Sequence, residues 1–168
     1  MKNITLLLIC CISCSMAYSQ DVPIQYNKET QKAYFQKEIK FSKLEQWELN
    51  SRITKWINAN YKMGEYTFPS PTKYTEKIRS TAPKAIKLSN KDCSMSYELS
   101  LEFTNEKCTI IIFNMVNIDA VLDAGVEWYA FKDDGSRRTN PARIEATKSI
   151  EDSMNKIINS LEKALNNR

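Results

Sequence analysis

Apolar and polar residues change their spacing repeatedly along this chain, and each change marks an element. Ala33, Phe35, Ile39 and Phe41 alternate with Tyr34, Gln36, Glu38 and Lys40. A period of two is that of a half-buried strand. Lys37 interrupts the apolar side, which places the strand near a sheet edge, where an inward lysine discourages strand addition. The period then lengthens. Leu49, Ile53, Trp56 and Ile57 recur at spacings of four and three, the stripe of an amphipathic helix. Leu44 and Trp47 are expected to widen that stripe, with Trp47 and Trp56 in the core. Ser42 followed by Glu45 predicts a capping box at the helix start, and Met63-Gly64 its stop. Residues 65–84 hold Pro69, Pro71 and Pro83 and read mostly as a long ordered loop.

A short strand is expected over residues 85–89. Tyr97, Leu99, Leu101 and Phe103 then alternate with Glu98, Ser100, Glu102 and Thr104. Asn105-Glu106-Lys107 turns the chain into residues 108–115, which are apolar on both faces and therefore central in the sheet. Ile111 and Phe113 share one face of that strand, Ile110 and Ile112 the other. Residues 125–132 predict a further strand, ending in the turn signal Asp133-Asp134-Gly135. Trp128 and Tyr129, as strand neighbours, point to opposite faces. Asn140 suits a helix N-cap and Pro141 the first helical position, where its missing N–H costs nothing. Ile150, Met154, Ile157, Ile158, Leu161 and Leu165 form the last stripe. The predicted order is β-α-β-β-β-β-α. Each helix has one apolar stripe to bury, so the fold class is α+β: a two-layer sandwich of an antiparallel sheet with two helices on one face.

The amino terminus follows a different logic. Lys2 precedes a nine-residue apolar run, residues 4–12, and a stretch of small residues ending Ala17-Tyr18-Ser19. This is the pattern of a secretory signal peptide cleaved after Ser19. A membrane anchor needs roughly 18 apolar residues, and Ser13 and Ser15 interrupt this run early. A lipoprotein signal is the other alternative, with Cys14 as the lipidated residue, although Cys11 stands where a lipobox takes leucine. The expected organisation is a signal peptide at 1–19, a flexible arm at 20–30 and one α+β domain at 31–168. The protein is then periplasmic or secreted. Removing 19 of 168 residues leaves 149, enough for one real core.

Export and charge narrow the chemistry. The formal net charge is +4, and losing Lys2 leaves +3, an ordinary solvated surface rather than a nucleic-acid footprint. Three of five cysteines lie in the leader. The remaining two, Cys93 and Cys108, sit about ten strand residues apart in height, roughly 30 Å at ~3.3 Å each. A disulfide needs Cα atoms within about 7 Å, so two free thiols are expected. The chain has no histidine, which removes the usual base for a cysteine nucleophile and the usual partner of thiols at zinc. No catalytic residue, metal site or cofactor is therefore assigned. Asp119, Asp123 and Glu127 are the densest acidic spacing outside the helices and carry the alternative reading, a small secreted carboxylate-dependent hydrolase. Their bland reading is a solvated connection with turn-forming aspartates.

The capped tryptophan-containing helix of residues 44–56, the hairpin Ser-Tyr-Glu-Leu-Ser-Leu-Glu-Phe and Thr-Ile-Ile-Ile-Phe, and the C-terminal amphipathic helix resemble a family of exported Bacteroidetes proteins. That family is a domain of unknown function with a TATA-box-binding-protein-like fold. The resemblance spans about residues 33–165 by element order and implies the fold; it carries no activity and no site residues. Glu98, Ser100 and Glu102 on the hairpin's polar face are expected to repel nucleic acid. The resulting expectation is a non-catalytic exported domain that binds a protein, peptide or envelope component through its open sheet face. Ile111, Phe113, Trp128, Tyr129, Arg137 and Arg138 are the candidate binding residues. No spanning segment is expected in the mature chain, and the oligomeric state is left open.

Overall fold

The structure, a computed structural model, describes residues 20–61, 66–67, 75–89, 91–104, 106–121 and 124–166. The expected leader, its cleavage point and Cys14 lie outside the described residues. Strands β1 (Gln25–Asn27) and β2 (Lys32–Lys40) precede helix α1 (Gln46–Asn60). Strands β3 (Tyr66–Thr67), β4 (Thr75–Leu88), β5 (Lys91–Phe103), β6 (Lys107–Asn117) and β7 (Ala124–Gly125) follow. A single helical turn, α2 (Glu127–Ala130), and the long helix α3 (Pro141–Asn166) complete the chain. The described strands form one antiparallel sheet in the order β1-β2-β6-β5-β4-β3, with β7 pairing the far end of β6.

Period-two patterning sets which side of this sheet is the core. Phe35, Ile112, Leu99 and Ile78 stand in one row by register, each fully buried. Ile110 and Leu101 form the next row, Ile39 and Cys108 the one after. Against this face pack Leu49, Ile53, Trp56 and Ile57 of α1 and Ile150, Met154, Ile158, Leu161 and Leu165 of α3. The two-layer arrangement with helices on one face is as the patterning predicts. Strand β6 is central, flanked by β2 and β5.

Lys37 is the one cation on the inner side of β2. Its Nζ lies 2.8 Å from Glu162 Oε2 of α3, with the lysine side chain only 14% exposed. Edge character also holds, because β1 pairs β2 only over Lys32, Ala33 and Tyr34.

Five local expectations give way. The stretch read as a loop at 65–84 contains β3 and most of β4, and the short strand expected at 85–89 is the end of β4. Proline misleads here because Pro83 sits in an irregularity. Four steps along β4, from Ala82 to Ile86, answer two along β5, from Met95 to Cys93. Lys84 there has a positive φ of 55°. Proline is tolerated in a strand at such a bulge. The strand expected at 125–132 is instead β7 followed by α2, so Trp128 and Tyr129 lie on a helical turn. The Ser42 capping box does not form. Glu45 is the N-cap, extended and without a side-chain cap, and the helix ends at Asn60. The expected Met63-Gly64 stop lies outside the described residues. Trp47 is 72% exposed, because it stands two residues before Leu49, about 200° around the helix at ~100° per residue. Trp56 is buried as expected.

The fifth concerns the arm at 20–30. It carries β1 and is pinned to α3. Val22 N donates to Asn155 Oδ1 at 2.8 Å, and Asn155 Nδ2 returns a bond to Val22 O at 3.0 Å. Ile24 N donates to Glu151 Oε1 at 3.0 Å, and Arg137 Nη2 donates to both Ile24 O and Glu151 Oε1. Asn155 is 5% exposed and also donates to Glu151 O, so its whole amide is engaged. Replacing it strands backbone groups that the amide now satisfies. Asn155→Ala is expected to cost about 1–3 kcal/mol in urea unfolding. Hydrogen exchange at Val22 and Ile24 should accelerate while the β5 and β6 amides keep their protection; unchanged exchange at both positions would contradict the pinning.

Candidate functional site

The candidate site is the corner where α2 meets the start of α3, and its geometry begins with a buried amide. Asn117, at the end of β6, donates from Nδ2 to Tyr129 Oη at 2.7 Å. Its Oδ1 accepts from Asp119 N at 2.9 Å. Tyr129, 3% exposed, is thereby fixed, and the α2 turn presents its neighbour Trp128 outward at 52% exposure. The two rings meet edge to face with centroids 5.2 Å apart. After α2 the chain makes the turn that Asp133-Asp134-Gly135 predicts. Gly135 N donates to Lys132 O, Ser136 N donates to Asp134 Oδ1, and Gly135 sits at φ 80°. A Cβ at Gly135 would stand 2.9 Å from the Tyr26 ring, so the position needs glycine twice over.

Arg138 returns beside α2. Its N–H donates to Ala130 O and its Nε to Phe131 O at 2.7 Å. Asn140 then caps α3 as the sequence predicts, accepting at Oδ1 from Ala142 N and at its carbonyl from Arg143 N and Ile144 N. Arg143, in the first helical turn, lays its guanidinium over the Trp128 ring at 3.4 Å and near Tyr129 at 5.2 Å. These residues surround a cavity of about 560 Å³ lined by Trp128, Tyr129, Lys132, Arg138, Asn140 and Arg143 among others. The lining holds three cations and no carboxylate. Burial, and then the nearby Arg138, hold Arg143 below the usual arginine range.

The sequence candidates divide. Trp128, Tyr129 and Arg138 come together at this corner. Arg137 belongs to the arm clamp and stacks on Phe131 at 5.0 Å. Ile111 and Phe113 are half-buried on the outer sheet face, opposite Ser100 and Glu98 by register. That face carries two close ion pairs: Arg79 with Glu98 at 2.5 Å and Lys107 with Glu38 at 2.9 Å. The neighbouring cations hold both carboxyls below the usual range. Of the acidic trio, Asp119 accepts from Ser94 N at 2.5 Å, a bond that lowers its pKa. Glu127 pairs with Lys32 at 3.0 Å, and Asp123 lies outside the described residues. The two described carboxylates thus hold different partners rather than one another. Among the described residues no group of three His, Cys, Asp or Glu is placed to hold a metal. Cys93 and Cys108 are free and buried, and burial pushes the Cys108 thiol up to about 12.

Lys132 and Arg143 escaped the sequence reading. A signal for Arg143 existed. A cation in the first turn of a helix opposes the helix dipole. The first turn of α3 holds no acidic residue to offset it.

No protein-family model matches the chain, and no curated protein does. Two solved structures share its fold. One is a DUF4468 family protein from Bacteroides ovatus, with 14% identity and a TM-score of 0.55, covering 82% of this chain and 90% of its own. The other is a TBP-like protein from Parabacteroides distasonis, with 12% identity and a TM-score of 0.54, covering 78% of this chain and 93% of its own. The fold is therefore TBP-like, shared with Bacteroidetes proteins that include a domain of unknown function.

The thiols and the outer-face ion pair each yield a test. Neither Cys93 nor Cys108 is expected to react with a maleimide at pH 8 in the native protein, and both should label in denaturant. Rapid native labelling would contradict the buried assignment. Glu98 has a folded pKa below its unfolded value near 4.5, so its stabilisation is present above that value and lost as pH falls through the folded one. Glu98→Gln should therefore cost under about 1 kcal/mol at pH 7. Denaturation series at several pH values should show the gap to wild type closing in acid.

Proposed function

We propose that this chain is an exported, non-catalytic binding domain that engages an envelope component through the α2–α3 corner. One observation carries the reading: three cations and a half-exposed indole line one cavity with no carboxylate among them. Each cation has a local partner in the fold, but bringing the three together costs mutual repulsion, seen in Arg143, which burial and then Arg138 hold below its usual range. Their cost is repaid when an anionic partner arrives. The outer sheet face is a poorer candidate than its pattern implies, because Glu98 and Glu38 are held in ion pairs and Ile111 and Phe113 are half-buried.

The non-catalytic part rests on chemistry. The chain has no histidine, the described thiols are buried, and Asp119 and Glu127 are committed to Ser94 and Lys32. Export rests on the leader pattern of residues 1–19. No described helix is long and apolar enough to cross a membrane.

Site-specific photocrosslinking in intact bacteria tests where the partner sits. A photoreactive residue replacing Trp128 should give a discrete adduct, and one replacing Phe113 should not. Adducts from Phe113 alone would return the binding surface to the open sheet face.

A further inference from the structure

Resting on that corner as the binding site, we propose that it takes a phosphate monoester carried on a ring, with the phosphate held by Arg138, Arg143 and Lys132 and the ring laid against Trp128. Charge balance selects the anion. A carboxylate brings one negative charge to three cations, whereas a phosphate monoester brings about −1.5 to −2 near neutral pH and three acceptor oxygens. The donors suit it as well. Arg138 uses its Nε on Phe131 O, which leaves both Nη groups for a ligand. Arg143 is oriented by the aromatic rings rather than by a carboxylate, so its planar fork is preset without being neutralised. Lys132 lines the same cavity from an exposed turn, where its charge is shared with Asp134, whose carboxyl is held below the usual range by Ser136 first and by Lys132 as well. The start of α3 adds positive potential, but its first amides are already satisfied by Asn140, so the side chains and not the helix end do the holding.

Ring and size follow from the same wall. Trp128 offers a half-exposed indole, braced by Tyr129 from the edge and by Arg143 from above. A cavity of about 560 Å³ falls within the range of roughly 300–1,000 Å³ that small ligands occupy. A flat ring or a sugar ring on the phosphate would cover the indole and leave the anion among the cations.

Calorimetric titration of the purified chain at low salt tests the assignment with four probes: phenyl phosphate, glucose 1-phosphate, inorganic phosphate and benzoate. Phenyl phosphate or glucose 1-phosphate should bind at least tenfold more tightly than inorganic phosphate or benzoate, and which of the two binds better identifies the ring. Arg143→Ala and Arg138→Ala should each weaken that binding at least tenfold. Lys132→Ala, on an exposed turn, should weaken it by a smaller factor and guards against a folding defect in either arginine variant. Trp128→Ala should bring the ring-bearing probes down to the level of inorganic phosphate. Equal binding of benzoate would overturn the phosphate assignment, and undiminished binding by the three cation variants would overturn the location. If none of the probes binds while crosslinking from Trp128 persists, the ligand class is wrong and the corner stands. If both fail, the corner itself is wrong.

Discussion

One-sided burial governs this molecule. The row Phe35, Ile112, Leu99 and Ile78 is closed to water only if helices lie over it, and the two available stripes supply that cover. Apolar burial is worth roughly 25 cal/mol per Å², so no other contact competes with this layer in scale. Its consequences run outward. Because α3 must lie along the inner face, Asn155 and Glu151 are in position to grip the chain at Val22 and Ile24. Ser149 of α3 accepts from Lys87 N near the end of β4, and the first turn of α3 ahead of it meets α2 through Arg143 and Trp128. The corner cavity is thus a by-product of where the long helix must start.

What occupies that corner is not dictated by folding. Arg143 is held over two aromatic rings, an attraction worth about 0.5–2 kcal/mol depending on desolvation. That suffices to orient the side chain but does not cancel its repulsion with Arg138. The contrast with the arm is informative. Arg137, one residue from Arg138, has a carboxylate and a carbonyl to satisfy it, and its role is structural. Arg138 instead donates to the Phe131 and Ala130 carbonyls, so neighbours in sequence differ in how their charge is met.

Patterning in the sequence reached the central layer because long periodic runs leave little freedom. Strands β2, β5 and β6, helix α3 with its Asn140-Pro141 start, and the inward Lys37 all follow from spacing alone. Residues that break a pattern were harder to read. Pro83 looked like loop and is a bulge within β4. In β6 the positive φ of Asn114, 49°, marks a second irregularity. It turns the inward residues from Ile110 and Ile112 to Met115 and Asn117. Short segments mislead for a related reason: the four residues of α2 cannot show a helical period, so Trp128 and Tyr129 read as strand neighbours. Trp128, Tyr129 and Arg138, three of the six binding candidates, converge only through that turn. The acidic trio was conspicuous in sequence only because turns favour aspartate. The TBP-like fold, shared at 14% and 12% identity, locates layers and strands but assigns no chemistry.

The decisive question is whether the clustered cations at the α2–α3 corner mark a ligand site. Amide and indole chemical shifts of the labelled protein, followed by NMR as phenyl phosphate is added, address this directly. Shifts concentrated at the Trp128 indole, Lys132, Arg138 and Arg143, with the β5 and β6 amides around Glu98 and Phe113 unmoved, are the predicted result. Shifts centred on Ile111 and Phe113 with the corner silent would contradict it.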